Sequence, residues 1–390
     1  MIQEIRIKNY LSFRDEVVLS FEATKDTTFE ECQVANVTPK VRLLRFALIY
    51  GANASGKSNL LKAMDFLRDF WFDKKSDIDE ETGVVPFLLD TETPNEPSEF
   101  NIKFFVGDKR YWYALVLDDK QVIKEDLYVY NSVQPSLVFS RELDGTASLI
   151  KLNASLVKAN ATIVEQLNVK CLSNMSFFAA RNQVNCSLAY IDEVRDWMKN
   201  NMMPIIEPGT RMFEYAGKQM EKNAELKAYI LDFVHKADYN ITDVYTEREK
   251  MPIPDFVKAS IMEDKDIPEK AKEKMLADNA LERLRTDFQH TVKNKRGEEN
   301  YRLPNSLQSE GTKRTFGIEA AIYEAIKTNG ILPIDEIESS LHPELVEFII
   351  EKFLKEKSRS QLIVTSHYDP LLNTVDDLIR KDSVWFTEKE

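Results

Sequence analysis

The sequence predicts an α/β fold with a mixed or parallel sheet, an antiparallel β subdomain and a helical insertion. The apolar run Leu43–Tyr50 has the length of a buried strand, and a glycine-bearing loop and an amphipathic helix over about residues 57–72 follow it directly. From residue 288 onwards strand and helix patterns alternate, which is typical of a parallel sheet. Residues 100–152 alternate between apolar and polar side chains and carry turn signals, which predicts an antiparallel meander.

Three regions follow from these patterns. Residues 1–180 are predicted to form a first lobe with the glycine-bearing loop and the meander, residues 181–287 a mainly helical insertion, and residues 288–390 a second lobe. Lysine and glutamate are frequent in the insertion, and prolines break it into pieces. The chain ends at Glu390 shortly after the strand-like Ser383–Thr387, so whether the natural protein continues stays open.

The composition is typical of a protein of the reducing cytosol. Of the 390 residues 43% are hydrophobic and 30% charged, and no apolar run has the length of a membrane helix. The N-terminal residues alternate between charged and apolar types, unlike a secretion signal. Three widely spaced cysteines predict neither a disulfide framework nor a zinc site. We therefore expect a cytoplasmic protein without a membrane partner.

The net charge of −13 argues against a surface that binds nucleic acid non-specifically through positive charge. A local basic groove is compatible with this net charge. Direct contact with nucleic acid therefore stays open.

The strongest motif is the segment Gly51–Ser58, which has the pattern G-x4-G-K-S between a predicted strand and a predicted helix. Glycines let the backbone curl so that successive N–H groups point at phosphate oxygens, and the helix N-terminus adds a favourable dipole. Lys57 supplies a positive charge to the β and γ phosphates, and the Ser58 hydroxyl ligates Mg²⁺. The predicted nucleotide-binding residues here are Gly51, Asn53, Ala54, Ser55, Gly56, Lys57, Ser58 and Asn59. The motif therefore predicts ATP and Mg²⁺ as ligands, with Lys57 also acting in catalysis.

An acidic pair follows the short apolar strand Ile331–Ile334. Asp335 is predicted to hold Mg²⁺ at the sheet edge, and Glu336 to polarise the attacking water as general base. An acidic pair at a strand end is common in itself, and the glycine-rich loop favours the catalytic interpretation. Pro333 is irregular in a strand because proline cannot donate to a sheet ladder.

His367 follows the predicted strand Gln361–Thr365 and is expected to lie beside the phosphates. Its imidazole is suited to bind the γ-phosphate or to orient the water. A polar residue that caps a strand is the alternative, and His342 is a competing histidine.

Ser309 and Gly311 precede a predicted helix that ends near Lys327. A serine and a glycine at a helix N-terminus form a second anion site, which suggests two surfaces that bind one nucleotide from opposite sides. A plain N-cap is the alternative.

Together these segments resemble the ABC-type ATPase heads of the SMC/RecF/OLD group. The opening IRIKNYLSFRDEVVLSF is similar to the N-terminal signature of that group, and Gly51–Ser58 to its Walker A loop. Ser309–Thr312 resembles a degenerate signature motif. Asp335 and Glu336 match Walker B, Ser339–Pro343 the D-loop, and His367 the switch histidine.

A narrower resemblance rests on SEGTKR, IDEIESSLHPELVE, QLIVTSHYDPLL and DLIRKDSVWFTEK. These segments look like RloA/AbiLi-type AAA family ATPases, small bacterial proteins of phage defence by abortive infection. The resemblance covers about half of the chain, at its two ends, and residues 160–285 contribute no recognised motif.

The resemblance implies a homodimer in which ATP lies between Walker A and B of one head and Ser309 and Gly311 of the other, with higher oligomers left open. It also implies a separately encoded nuclease or toxin as partner, and a Q-loop glutamine. Gln183 is the candidate for that glutamine, and Gln134 is the alternative.

Two other functions compete with a nucleotide-dependent switch in phage defence. One is a RecF-like DNA-repair ATPase that binds DNA directly. The other is a scaffold that binds ATP with little turnover and holds a toxin. The acidic net charge favours the switch over the DNA-binding protein.

Overall fold

The computed structural model describes residues 1–237, 240–264, 267–278 and 280–389. The chain divides into two compact units. The first unit contains Met1–Gly209, Glu324–Ser339 and Val346–Glu390, and the second contains Thr210–Tyr323 and Ser340–Leu345. These divisions differ from the predicted boundaries near residues 180 and 287, because residues 181–209 belong to the first unit.

The strands are β1 (Ile2–Lys8), β2 (Val17–Ser20), β3 (Val34–Thr38), β4 (Val41–Leu44), β5 (Phe46–Gly51), β6 (Ser98–Val106), β7 (Lys109–Leu117), β8 (Val122–Tyr130), β9 (Ser136–Asp144), β10 (Ala147–Leu152), β11 (Asp243–Pro252), β12 (Ala280–Asn294), β13 (Gly297–Pro304), β14 (Ile331–Ile334), β15 (Gln361–Ser366) and β16 (Val384–Thr387).

The α-helices are α1 (Glu30–Gln33), α2 (Lys57–Phe70), α3 (Ala161–Lys170), α4 (Phe177–Arg181), α5 (Ile191–Asn201), α6 (Met212–Lys222), α7 (Ala224–Lys236), α8 (Asp255–Glu263), α9 (Glu269–Asp278), α10 (Glu310–Thr328) and α11 (Pro343–Lys355). None of the described helices combines the length and the apolar character that crossing a membrane requires.

The largest sheet of the first unit is antiparallel and has seven strands in the order β10-β9-β8-β7-β6-β1-β2. It contains the predicted meander and the N-terminal hairpin formed by β1 and β2. Ile5 and Ile7 are fully buried, whereas Arg6 and Lys8 on the other face are partly exposed. This alternation follows from the two-residue period of a strand, which places neighbouring side chains on opposite faces.

The second sheet of this unit has the order β14-β15-β5-β16, and its strands run parallel. Both β14 and β15 are buried along their whole length, which explains their continuous apolar sequences. Because parallel strands end at the same edge of a sheet, the segments after β14, β15 and β5 meet there. Ligands of open α/β sheets bind at this edge. The predicted α/β class is thus confirmed.

Proline is tolerated at position 333 because β14 is the outermost strand of the parallel sheet. The carbonyl oxygen of Pro333 accepts a hydrogen bond from the N–H of Ile206 at 3.0 Å, on the side away from β15. The N–H and C=O of one strand residue point to the same side, so the missing N–H of Pro333 also faces away from β15. The ladder between β14 and β15 is therefore complete.

The apolar run at residues 43–50, predicted as one strand, forms two. It breaks at Arg45, whose side chain is 3% exposed. The guanidinium donates to the carbonyl oxygens of Cys32 at 2.7 Å and Leu354 at 3.2 Å. Satisfying these buried carbonyls turns the backbone between β4 and β5.

Residues 181–287 were predicted as a mainly helical insertion, and α5–α9 lie within them. The second unit also contains the antiparallel sheet β11-β12-β13. The rings of Phe213, Phe288 and Phe316 pack against one another at centroid distances of 4.8–6.4 Å and form part of its core. The sequence of β11 lacks a clear strand pattern because many of its residues are charged. On its exposed side these residues form ion pairs such as Arg248–Glu221.

Gln361, in β15, connects the parallel sheet of the first unit with β1 and β4, which belong to two other sheets. Its side chain is fully buried; Oε1 accepts from the N–H of Ile2 at 2.6 Å, and Nε2 donates to the carbonyl oxygens of Ile2 at 2.9 Å and Leu44 at 3.2 Å. One amide thus satisfies backbone groups of β1 and β4 that would otherwise be buried without partners.

We expect Gln361→Leu to lower the free energy of unfolding by about 2–4 kcal/mol, because it leaves buried backbone groups without hydrogen bonds. Urea unfolding followed by tryptophan fluorescence measures the free energy of unfolding. The four tryptophans lie in the first unit, as Gln361 does, and so report on its unfolding. Gln134→Leu, in an exposed turn, is the control and should change it by at most about 0.5 kcal/mol. Equal effects of the two substitutions would contradict the bridging role.

Candidate functional site

The glycine-rich loop curls between the end of β5 and the start of α2. Two residues have positive φ, Ala54 at 62° and Gly56 at 96°. Gly56 is the N-cap of α2, so the helix N-terminus with its free N–H groups opens directly onto the loop. Lys57 is 5% exposed, and its ammonium donates to the carbonyl oxygens of Gly51 at 2.8 Å and Ala52 at 2.9 Å. The positive charge is thus held inside the curl.

Gly51 lies against the last residue of β16. A Cβ atom at this position would lie 2.4 Å from Oγ1 and 2.6 Å from the carbonyl oxygen of Thr387. The Ser55 hydroxyl lies 2.6 Å from the Thr387 hydroxyl. Sequence reasoning missed Thr387, because the strand pattern at residues 383–387 carries no motif that links it to the loop.

Asp335 joins the loop helix to the neighbouring strands. Its Oδ1 accepts from the Ser58 hydroxyl at 2.9 Å and from the Thr365 hydroxyl at 2.5 Å. The Asp335 side chain is buried, and its N–H donates to the carbonyl oxygen of Ile206 at 2.8 Å. The structure thus brings together the two residues predicted to bind Mg²⁺. Thr365, which completes the arrangement, was not predicted.

A hydroxyl and a carboxylate suit Mg²⁺, which takes oxygen ligands and keeps several waters and phosphate oxygens besides one or two protein groups. Among the described residues, no three His, Cys, Asp or Glu side chains form a metal cluster. The oxygens of Ser58 and Asp335 therefore fit the ligand chemistry of Mg²⁺.

Glu336 begins the turn after β14 with a positive φ of 44°. Its N–H donates to the Thr365 hydroxyl at 2.8 Å, and the N–H of Ile337 donates to the Thr365 carbonyl at 3.2 Å. Positive φ is uncommon for a residue with a side chain, and it persists where the surroundings enforce it. The turn therefore fixes the backbone of Glu336 at the edge of the sheet.

His367 follows β15 at the same edge and is paired with Glu338. The Nδ1 atom lies 3.0 Å from Oε1 of Glu338, and the backbone N–H of His367 donates to this oxygen at 3.0 Å. Sequence reasoning missed Glu338; its position two residues after the acidic pair was the available signal. His342, the competing histidine, is exposed, and its Nδ1 lies 4.0 Å from Oε2 of Glu344.

Asn59 and Gly56 face the turn between β1 and β2. The side-chain amide of Asn59 donates to the Ser12 hydroxyl at 2.9 Å. A Cβ on Gly56 would lie 2.9 Å from the same hydroxyl and 3.3 Å from the Phe13 ring. Asn53 is exposed at the tip of the loop. The N-terminal hairpin therefore forms one wall of the loop.

Ser309 and Gly311 lie in the second unit, at the start of α10. The Ser309 hydroxyl accepts from the N–H of Thr312 at 3.0 Å and so forms an N-cap. A Cβ on Gly311 would lie 2.6 Å from the carbonyl oxygen of Ser340, so only glycine fits here. Ser309 therefore caps the helix, as the alternative interpretation of this segment predicted. Its contact with a nucleotide stays a prediction.

The two candidate glutamines have local contacts. Gln183 follows α4, and its side-chain amide donates to the carbonyl oxygen of Ala179 at 3.5 Å. Gln134 is exposed in the turn between β8 and β9. The contact described for Gln183 does not link it to the glycine-rich loop. The Q-loop assignment stays a prediction.

The model of a protein family described as “AAA domain, putative AbiEii toxin, Type IV TA system” matches residues 46–151 and 214–373, more than half of the chain. No curated protein gives a significant match.

Two solved structures are similar over nearly the whole length. An SMC head domain from Thermotoga maritima is 13% identical over 96% of this chain and 92% of its own, with a TM-score of 0.41. An SMC head bound to the C-winged helix domain of ScpA is 13% identical over 98% of this chain and 96% of its own, with a TM-score of 0.40. Likenesses of this size identify neither a substrate nor a partner.

The family match includes β5, the glycine-rich loop, the acidic pair and His367. It confirms the relationship to AAA-domain ATPases that the sequence motifs indicate. The chain belongs to the AAA-domain family described for AbiEii-type toxins of type IV toxin–antitoxin systems.

Proposed function

We propose that this protein binds ATP together with Mg²⁺ and hydrolyses it to ADP and phosphate. The observation that carries the proposal is the hydrogen bond of 2.9 Å between Ser58 and Asp335, residues separated by 277 positions in the chain. This bond holds the phosphate-binding loop against the segment that carries Glu336.

Each residue has a role in this proposal. The loop N–H groups and the Lys57 ammonium bind the β and γ phosphates, for which Lys57 exchanges its loop carbonyl partners. Mg²⁺, held by Ser58 and Asp335, supplies charge neutralisation of the phosphate oxygens. Glu336 accepts a proton from the attacking water while the γ-phosphoryl group passes to the water oxygen and ADP leaves. His367 orients that water.

The second half of the nucleotide site is assigned to a second copy of the chain. Ser309 and Gly311 lie at the N-terminus of the 19-residue helix α10, whose dipole favours an anion. In the proposed homodimer this helix end faces the γ-phosphate bound by the other copy. ATP then closes the dimer and hydrolysis opens it, which makes the protein a nucleotide-dependent switch.

The biological role proposed is a switch in anti-phage defence that controls a separately encoded nuclease or toxin. Membership of a family described for AbiEii-type toxins supports a role in defence. The same description favours a second candidate, in which this chain is itself the toxic component. The two candidates differ in what the chain does when it is expressed alone.

Gly51→Ala should weaken ATP binding at least tenfold, or about 1.4 kcal/mol. The added methyl group would lie 2.6 Å from the Thr387 carbonyl oxygen and would displace the loop. Fluorescence of a labelled ATP analogue measures the affinity. Gly209→Ala, whose Cβ meets no atom within 4 Å, should bind as wild type does. Unchanged affinity in Gly51→Ala would argue against a nucleotide on this loop.

Glu336→Gln should retain ATP binding and lose about 100-fold or more in turnover, because the general base is removed. The variant should accumulate as a nucleotide-bound dimer, detected by size-exclusion chromatography with light scattering, whereas Lys57→Ala should stay monomeric in ATP. The exposed Lys62→Ala on the same helix is the control and should resemble wild type. Wild-type turnover in Glu336→Gln would exclude the catalytic role, and ATP-dependent dimers without any wild-type turnover would favour the scaffold.

Phage challenge of cells that carry the native locus tests the defence role. Wild type should lower the number of plaques, and Lys57→Ala should abolish this protection because the switch cannot bind its nucleotide. Growth arrest on expression of this chain alone would identify it as the toxin. Equal protection by wild type and Lys57→Ala would contradict an ATP-dependent role in defence.

A further inference from the structure

Glu338 is the carboxylate next to the imidazole of His367. One oxygen, Oε1, lies 3.0 Å from Nδ1 of His367 and accepts the backbone N–H of the same residue at 3.0 Å. The Glu338 side chain is 12% exposed, compared with 46% for His367. The imidazole is therefore anchored on one side by a largely buried carboxylate and open to solvent on the other.

The second oxygen of Glu338 has a different environment. Oε2 is buried, and none of the residues that the structure describes donates a hydrogen bond to it. A buried carboxylate oxygen without a partner is energetically unfavourable. The position of Glu338 is thus set by its bonds to His367 and not by a network of its own.

The backbone brings this pair to the acidic turn. Thr365, two residues before His367, accepts the N–H groups of Glu336 and Ile337 through its hydroxyl and its carbonyl. Glu338 then bonds His367 itself. The segment after β14 is thus hydrogen-bonded to the end of β15 through three consecutive residues, Glu336, Ile337 and Glu338. Glu336 belongs to the first of these two segments, and His367 belongs to the second.

We propose that Glu338 is a positioning residue that fixes the neutral imidazole of His367 as the Nδ1–H tautomer. Nδ1 of His367 and Oε1 of Glu338 lie 3.0 Å apart, and two hydrogen-bond acceptors at this distance would repel each other. Nδ1 therefore carries the proton and donates a hydrogen bond to the carboxylate. Nε2 then has a lone pair and is a hydrogen-bond acceptor.

The proposal rests on the proposed ATPase function and adds one distinction to it. In the Nδ1–H tautomer, neutral His367 accepts a hydrogen bond from the attacking water through Nε2, while Glu336 accepts the other proton of that water. The opposite tautomer would carry N–H at Nε2 and would donate to a γ-phosphate oxygen instead. Glu338 therefore decides which of the two partners His367 binds.

A purely structural role for Glu338 would have a different signature. Its bond to the backbone N–H of His367 stabilises the turn whatever the ring does. A structural role would therefore change the stability of the fold but would not select a ring tautomer. The test needs a measurement of the tautomer itself.

Nitrogen-15 NMR of histidine-labelled protein at about pH 8.5, two units above the ordinary imidazole pKa, gives this measurement. The chain has four histidines, so loss of the His367 signals in His367→Gln assigns them. Wild type should show the proton on Nδ1. Glu338→Leu should shift it to Nε2, and Glu338→Gln, whose amide oxygen still accepts, should retain it on Nδ1.

Glu344→Gln is the matched control, because Glu344 lies 4.0 Å from Nδ1 of His342 and both side chains are exposed. It should leave the His367 signals unchanged. A wild-type His367 with its proton on Nε2, or a tautomer that stays the same in a folded Glu338→Leu variant, overturns the proposal. Circular dichroism verifies that each variant is folded.

ATP hydrolysis gives a second readout. Glu338→Leu should lower kcat by about 10- to 100-fold, the range found for residues that orient a functional histidine, with KM changed less than about threefold. In a His367→Gln background the same substitution should have no further effect, because Glu338 acts through the imidazole. An equal loss in both backgrounds overturns the proposal. Absence of hydrolysis in wild type would reject the proposed function, while the NMR result still decides the tautomer.

Discussion

The hydrogen bonds to one carboxylate oxygen of Asp335 connect the parts of the candidate site. Ser58 comes from the first turn of α2, Thr365 from β15 and Asp335 from the end of β14, and the two hydroxyls donate to the same atom. Hydrogen bonds to a charged group contribute about 1.5–3 kcal/mol each when buried. They fix the distance between the phosphate-binding loop and the acidic turn. The role proposed for Glu336 requires that distance to be constant.

The parallel sheet is the reason that these segments meet. Strands β14, β15 and β5 are neighbours and all end at one edge, so the residue after each strand is placed there without any long-range contact of its own. Their apolar sequences bury the sheet on both faces. Packing of the core therefore brings the polar residues to one edge of the sheet, and their hydrogen bonds then hold them at a fixed distance from one another.

Two residues with positive φ lie at the same edge. Ala54 and Glu336 have positive φ in the two turns that flank the site, although neither is a glycine. Such conformations cost about 1–3 kcal/mol and persist where the surroundings over-determine them. Here Thr365 bonds the backbone of the acidic turn, and the Lys57 ammonium bonds two carbonyls of the loop. Both turns are thus held in place by contacts within the protein itself, which would lower the entropic cost of the proposed nucleotide binding.

The sequence by itself determined many of the elements and the motif-bearing half of the candidate site. Alternation of apolar residues located the meander, short continuous apolar runs located β14 and β15, and G-x4-G-K-S located Lys57 and Ser58. These patterns are set by the period and burial of a strand and by the backbone needs of a phosphate-binding turn. Only the tertiary structure identified Thr365, Thr387 and Glu338 as their partners. Each is an ordinary polar residue whose contacts lie 28 or more positions away along the chain, so its role depends on which strands become neighbours. The break at Arg45 was likewise decided by the carbonyl groups of distant segments, which no local pattern encodes.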